Sequence, residues 1–194
     1  MKMRDLFVLP AICRALAEAE EKAKLTFSED GKTITGVKDK SIKSITIPDS
    51  VTSIGYAAFS GCSSLKSITI PSSVKSISVG AFTNIPSVKV SAGHPVFFVD
   101  EQGILINKKE KKLLYVPPHL TSVTIPDSVT SIGDRAFLSC KNLTSITIPD
   151  SVTSIGESAF RGCKNLSSLT IPAKFTDKDV NKWHVPSNCK VIRR

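Results

Sequence analysis

Short runs of alternating apolar and polar residues recur along the chain at a fixed spacing. Ser67-Ile68-Thr69-Ile70 places its Ile side chains on one side of a strand and its hydroxyls on the other. The ending of that run returns at Ile47-Pro48, Ile70-Pro71, Ile125-Pro126 and Ile148-Pro149, with a partial copy at Ile171-Pro172. The interval is 23 residues from 47 to 70, from 125 to 148 and from 148 to 171. Counted from each Pro, Val stands at +3 (Val51, Val74, Val129, Val152) and Ile at +6 (Ile54, Ile77, Ile132, Ile155). Ala-Phe follows at +10 and +11, and position +14 holds Cys62, Ile85, Cys140 and Cys163. A unit this short cannot bury its own inward face, so successive units must stack and share a continuous core. The inward columns expected are Val51, Ile54, Phe59, Cys62, Leu65 and Ile68 with their equivalents in the other units. Each Pro sits at a strand end, where a missing N–H is tolerated. The Ala-Phe stretch is too brief for more than one or two helical turns.

Between 87 and 119 the pattern diverges. Val116-Pro117 lies 46 residues, two periods, after Ile70-Pro71 and reads as a degenerate Ile-Pro. On that frame Pro117 to Val123 copies the next segment, the Ala-Phe stretch is omitted, and the coil is shortened by 14 residues. Phe97 to Asn107 and Leu113 to Val116 are apolar runs broken by Gly103 and a Lys-rich turn, which predicts strand pairs. Asp30-Gly31 between Leu25-Thr26-Phe27 and Thr33-Ile34 predicts an N-terminal hairpin.

The repeat resembles the BspA-like, or Treponema pallidum-type, family of leucine-rich repeats, whose units read L-x-x-I-x-I-P-x-x-V-x-x-I-x-x-x-A-F-x-x-C. The resemblance is close over 41–86 and 120–173 and loose over 87–119. It implies a leucine-rich-repeat solenoid, mostly β with short helical or 3-10 turns, wound as a right-handed coil of about 23-residue repeats. It also implies a secreted or cell-surface location and a part in adhesion and protein binding.

The expected organisation is an N-terminal helix or signal segment at 1–24, a capping hairpin at 25–40, the solenoid at 41–173 with its hairpin-containing insert at 87–119, and a C-terminal cap at 174–194. Lys2, Arg4, the apolar Leu6 to Leu9 and the Ala15-Leu16-Ala17 triplet read as an export signal, against which Asp5 and Arg14 count. The other reading has Pro10 open a helix that runs to Lys24 with Ile12, Leu16 and Ala19 on one face. A cytoplasmic location stays open on the sequence. After Ile171-Pro172 the repeat is expected to stop, with Thr176 capping a short helix and Trp183 covering the last coil; the alternative is an exposed Trp183 serving as a ligand anchor among Lys174, Lys178, Lys182, Lys190, Arg193 and Arg194.

Composition changes the picture little. Of 194 residues, 41% are hydrophobic but only 6% aromatic, so the core must be built from Ile, Val, Leu and Ala. The longest early apolar stretch, Leu6 to Cys13, is too short to span a bilayer. Lys and Arg outnumber Asp and Glu 26 to 17, yet the basic residues are dispersed and lack interleaved aromatics, which argues against nucleic acid. The five cysteines show no metal-ligand spacing, and the column shared with Ile85 marks Cys62, Cys140 and Cys163 as buried and reduced. No cofactor, metal or catalytic group is expected, because His94, His119 and His184 fall in separate coils.

The candidate binding residues are the outward strand positions two and four before each Pro: Ser44, Thr46, Ser67, Thr69, Ser122, Thr124, Ser145, Thr147, Ser168 and Thr170. In the divergent coil the same columns are expected to hold Leu113 and Tyr115, either as an apolar anchor beside the Lys108 to Lys112 turn or with Tyr115 covered by the insert's own hairpin. The function expected is a monomeric, non-catalytic module for a protein or glycan ligand. The alternative is a structural or ice-surface protein using the Ser and Thr ladders as a flat array.

Overall fold

The structure, a computed structural model, describes residues 5–194. Lys2 and Arg4, the charged start of the export-signal reading, lie outside the described residues. Helix α1 (Asp5–Ala23) leads into an antiparallel hairpin, β1 (Leu25–Phe27) and β2 (Thr33–Val37), turned at Gly31. The coils then contribute strands to two faces. The Ser-Ile-Gly face carries β3 (Ser53–Ile54), β5 (Ser76–Ile77), β10 (Ser131–Ile132) and β12 (Ser154–Ile155). The Ile-Pro face carries β4 (Ser67–Ile70), β6 (Ser87–Val90), β11 (Ser145–Thr147) and β13 (Ser168–Ile171). Pairing between coils is parallel and in register with the repeat: Ser53 opposite Ser76, Ser131 opposite Ser154, Ser145 opposite Ser168.

The inward columns are where the periodicity places them. Val51, Ile54, Phe59, Cys62, Leu65 and Ile68 are all buried, as are Phe137 and Phe160. Phe59 and Phe82 stack at 6.1 Å between ring centroids, and Phe137 and Phe160 at 4.9 Å. Each coil covers the inward face of the next, so the apolar side chains leave water although no coil has a core of its own.

The divergent coil is built differently from the expectation. Three antiparallel strands, β7 (Phe97–Val99), β8 (Leu105–Asn107) and β9 (Lys112–Tyr115), join the Ser-Ile-Gly face as a meander in the order β7, β8, β9, β10. Lys112 and Leu113 pair with Ser131 and Ile132, so Leu113 is the equivalent of the Ile in Ser-Ile-Gly and not of an Ile before Pro. The Val116 N–H donates to the Ala136 carbonyl, which sets Val116 beside the Ala-Phe segment. The Ala-Phe turn is therefore compressed, not omitted. The offset from Lys112 to Ser131 is 19 residues where the next is 23, a shortening of four, not 14. The misreading has a physical cause: β8 has β7 and β9 on its flanks and is buried on both faces, so the apolar runs in this meander give no alternation to fix their register.

The meander also divides the core. Leu105 and Tyr115 pack with the N-terminal coils, whereas Ile104, Ile106, Leu113 and Val116 pack with the C-terminal ones. Tyr115 fills the aromatic column that the coil's missing Phe leaves vacant, edge-on to Phe82 at 6.1 Å, and its hydroxyl donates to the Ile85 carbonyl. Burial pushes its phenol well above the ordinary range, so it stays a neutral donor.

Both ends differ in part from the expectation. Helix α1 begins before Pro10, and Ile12 and Leu16 are 50% and 61% exposed instead of forming a buried face. Its contacts with the first coil are polar: Arg14 to Asp49 at 2.5 Å, Ser50 to Glu18, and the Glu21 carboxylate accepting from the Thr46 N–H at 3.2 Å. At the other end Thr176 and Asp179 form a capping box on α2 (Asp177–Lys182), and Trp183 is buried edge-on against Phe175. The repeat nevertheless continues, since β14 (Lys190–Arg193) pairs in parallel with β13 and the Trp183 carbonyl accepts from the Phe160 N–H. The last stretch is one further coil with a helix where the Ser-Ile-Gly strand would be.

Replacing Phe160 by Ala should cost about 3–5 kcal/mol in denaturant unfolding, because both neighbouring coils lose contacts to one ring. Tyr115→Phe keeps that packing but strands the buried Ile85 carbonyl, and should cost about 1–3 kcal/mol. A pH effect is expected at the junction as well. His94 is buried, its Nδ1 accepting from the Val96 and Phe97 N–H groups at 3.1 Å each and its Nε2 facing the Pro71 carbonyl at 3.1 Å. That geometry requires a neutral ring, and burial, with the Lys108 charge adding to it, lowers its pKa from 6.5. The unfolded chain takes up this proton near 6.5 while the folded chain resists it, so the contribution is complete above that pH and is lost as pH falls through the depressed value. Unfolding curves between pH 7.5 and 5 should show this loss, and His94→Gln should flatten it.

Candidate binding face

The Ile-Pro face is where ten of the twelve candidate residues lie. Ser44, Thr46, Ser67, Thr69, Ser122, Thr124, Ser145 and Thr147 are exposed, and Ser168 and Thr170 are half-buried beside β14. Pairing aligns them in rows along the solenoid: Thr46, Thr69 and Lys89; Ser145, Ser168 and Lys190; Thr147, Thr170 and Ile192. Lysines and one Ile interrupt the rows.

The structure does not bring all ten together. Ser122–Ile125 forms no ladder with β6 or with β11, because the meander has widened the opposite face and left this segment between two halves. Gln102, from the turn joining β7 to β8, replaces the missing neighbour. Its amide donates to the Thr124 carbonyl at 2.8 Å and accepts from the Thr124 N–H at 2.9 Å. On the other side a groove of about 350 Å³ opens between Ser122–Ile125 and β11, and it gathers Ser122, Thr124, Ser145, Thr147 and Arg194. Arg194 is held there by the Ile148 carbonyl at 3.4 Å and the Asp150 carboxylate at 3.6 Å. Ser44, Thr46, Ser67 and Thr69 stay apart in the N-terminal half.

Leu113 and Tyr115 are not on this face. Both are buried, at 0% and 8% exposure, in the opposite sheet, and the exposed Lys108 to Lys111 turn belongs to that sheet's corner. The apolar anchor expected on the strand face is absent because those side chains fill the junction between the two half-cores. Sequence reasoning missed Gln102 and named Arg194 only as one of the basic residues around Trp183, because both reach their places through backbone contacts across coils. It also passed over Lys43 and Lys66, which stand at one spacing immediately before Ser44 and Ser67 and were visible in the period itself.

The chemistry available is that of hydroxyls and cations. Ser158 and His184 approach to 3.1 Å; Ser158 is 5% exposed and lines a shallow pocket with Tyr56, Asp134, Arg135 and Glu157, and its hydroxyl contacts the same His184 Nδ1 that lies 3.3 Å from the Lys182 carbonyl. Among the described residues no group of three or more His, Cys, Asp or Glu is placed to hold a metal ion, and no helix is long and apolar enough to cross a membrane. Cys62, Cys140 and Cys163 are free and buried. A hydrogen bond to Cys163 together with burial raises the Cys140 thiol, and burial raises Cys62.

The sequence matches the BspA type leucine rich repeat region in six copies over residues 37–96 and 110–193, more than half of the chain. The chain belongs to the BspA-type leucine-rich repeat family. Among solved structures, a leucine-rich repeat protein from Eubacterium ventriosum is 27% identical with a TM-score of 0.54, the match covering 68% of this chain and 42% of that one. A leucine rich cell surface protein from Faecalibacterium prausnitzii is 20% identical with a TM-score of 0.50 over 78% of this chain and 59% of its own length, a likeness of fold. This BspA-type chain thus spans about half the length of these relatives. No curated protein matches it.

Thiol labelling without denaturant should modify the exposed Cys13 quickly and leave Cys62, Cys140 and Cys163 unreacted. Rapid modification of all four would contradict the buried column.

Proposed function

We propose that the chain is a non-catalytic binding module whose protein or glycan ligand docks on the Ile-Pro face, at or outside a microbial cell surface. The observation that carries this is the groove: four of the residues singled out from the repeat line it together with Arg194, whose guanidinium keeps free donors for a ligand. The family's repeat architecture supports it, since stacked coils present an extended surface. The location draws support from the Faecalibacterium relative, which is described as a cell surface protein. An ice-binding role needs a flat, unbroken hydroxyl array, and Lys89, Lys190 and the unpaired Ser122–Ile125 segment break this one.

The test is a binding array of extracellular matrix proteins and glycans probed with the purified chain and with Thr124→Glu/Thr147→Glu. Both substitutions replace exposed side chains, so melting temperature should hold within a few degrees. A ligand held by the native chain should bind the double variant at least about tenfold more weakly, equivalent to about 1.4 kcal/mol. Undiminished binding by the variant would place the site elsewhere.

A further inference from the structure

The Ile-Pro face has an electrostatic character that the hydroxyl ladders alone do not convey. Its outward columns contain no Asp or Glu in any coil from Lys43 to Ile192. They do contain Lys43, Lys66, Lys89 and Lys190, and Arg194 reaches the groove from the C-terminal end. The Lys66 N–H donates to the Lys43 carbonyl, so these two lysines stand on neighbouring coils, and Lys89 stands one coil further on, beside Thr69 in the Thr46 row. Neighbouring strands lie about 4.8 Å apart, so the cations recur along the solenoid axis at the scale of a single coil. The acids at the rim are offset in part: Asp49 pairs with Arg14, Asp150 with Arg194, Glu18 with Lys22, and Glu21, which also accepts from the Thr46 N–H, with Lys24, while Asp127 remains at that corner. The remaining character is hydroxylic.

We infer that this face binds an acidic polysaccharide, carboxylated or sulfated, lying along the solenoid axis. The inference rests on the reading of the chain as a binding module and names the ligand class. The lysines are hydrated point charges suited to carboxylate and sulfate groups on a hydrated polymer, and Ser and Thr hydroxyls both donate to and accept from sugar hydroxyls. A protein partner would want an aromatic or large apolar anchor. Among the residues whose burial is described, the one exposed large hydrophobic side chain on the strands of this face is Ile192, and the residues that would have supplied an anchor, Leu113 and Tyr115, are turned into the core. Single-stranded nucleic acid would want stacking platforms that are likewise missing from the face.

The experiment is calorimetric titration of the purified chain with heparin and polygalacturonate, beside neutral dextran, poly-glutamate and single-stranded DNA. Heparin or polygalacturonate should bind, and the affinity should fall at least about tenfold between low and moderately high salt, as exposed charges are screened. Lys43→Glu/Lys66→Glu/Lys89→Glu should weaken that binding at least about tenfold. Lys75→Glu/Lys109→Glu/Lys178→Glu, with the same net charge but exposed away from this face, should stay within about twofold. If the first triple variant does not fold, the Lys→Gln triple at the same positions replaces it. Equal losses in both triples would overturn the inference by showing unspecific attraction to net positive charge. Poly-glutamate or DNA binding as tightly as the acidic glycans would overturn it too, as would no binding to either glycan. In that last case a different ligand that is retained by the native chain and lost by Thr124→Glu/Thr147→Glu leaves the binding-module reading standing.

Discussion

The aromatic column through the coil interiors is the contact on which the rest of the structure depends. A coil of 23 residues closes around one large side chain, and the ring it supplies is covered by its neighbour's ring and not by its own backbone. Phe59 on Phe82 and Phe137 on Phe160 are the regular form of this contact. Where the repeat loses its Phe, the column must still be filled, because a void there would deprive two coils of contacts at once. Tyr115 does this in the divergent coil against Phe82, while in the last coil Trp183 packs edge-on against Phe175, and each directs its one polar atom to a carbonyl that needs a donor: Ile85 for the Tyr115 hydroxyl, Ile155 for the Trp183 indole.

Filling the column from a meander instead of a coil has consequences for the opposite surface. β7, β8 and β9 widen the Ser-Ile-Gly face by extra strands, while the Ile-Pro face receives only Ser122–Ile125 over the same stretch of axis. The two faces therefore cannot both keep continuous ladders. The Ser-Ile-Gly face is itself split between β5 and β7 but keeps its pairing on the C-terminal side through β9 and β10, where the Ile-Pro face opens. Gln102 closes one side of the opening by mimicking a strand neighbour, and the other side is the groove. The candidate site is thus a by-product of how the core is joined, and it sits where Ser122–Ile125 forms no ladder with β11 and only the backbone bond from the Thr144 N–H to the Thr121 carbonyl ties the two coils beside it.

This explains which parts were legible in the sequence. A residue whose environment is fixed by its own coil and the identical next coil is readable from the period, which is why Val51, Ile54, Phe59, Cys62, Leu65 and Ile68 fell where expected. Leu113 and Tyr115 were misplaced because Leu113-Leu114-Tyr115-Val116 fits the Ile-x-Ile-Pro frame as well as the Ser-Ile-Gly frame, and only the pairing of β9 with β8 and β10 decides between them. The stretch after Ile171-Pro172 lost its side-chain pattern but kept its backbone pairing, and pairing leaves little trace in composition. Helix α1 fails in the opposite sense. Ile12, Leu16 and Ala19 share a helical face, yet the surface beside them offers Asp49, Ser50 and the Thr46 N–H, so the helix is held through its polar side chains.

A face made of hydroxyls and lysines, without an apolar anchor, sets the energetics of whatever binds it. Exposed ion pairs contribute little each, typically well under about 1 kcal/mol, and hydroxyl contacts exchange one set of water-like hydrogen bonds for another. No one coil can then hold a ligand firmly. What the solenoid offers is repetition: once one coil is engaged, the next presents its Ser, Thr or Lys about 4.8 Å further along, at high effective concentration and without a second loss of translational freedom. Affinity on such a surface grows with the number of coils a ligand spans and selects for polymers over compact ligands. The break at Ser122–Ile125 tempers this, since a polymer crossing it meets a groove instead of a rung. Arg194, with its fixed fork of donors, stands where the regular row gives out, and a polymer bound there would find the more specific contact in its guanidinium and the general attraction in the lysines on either side.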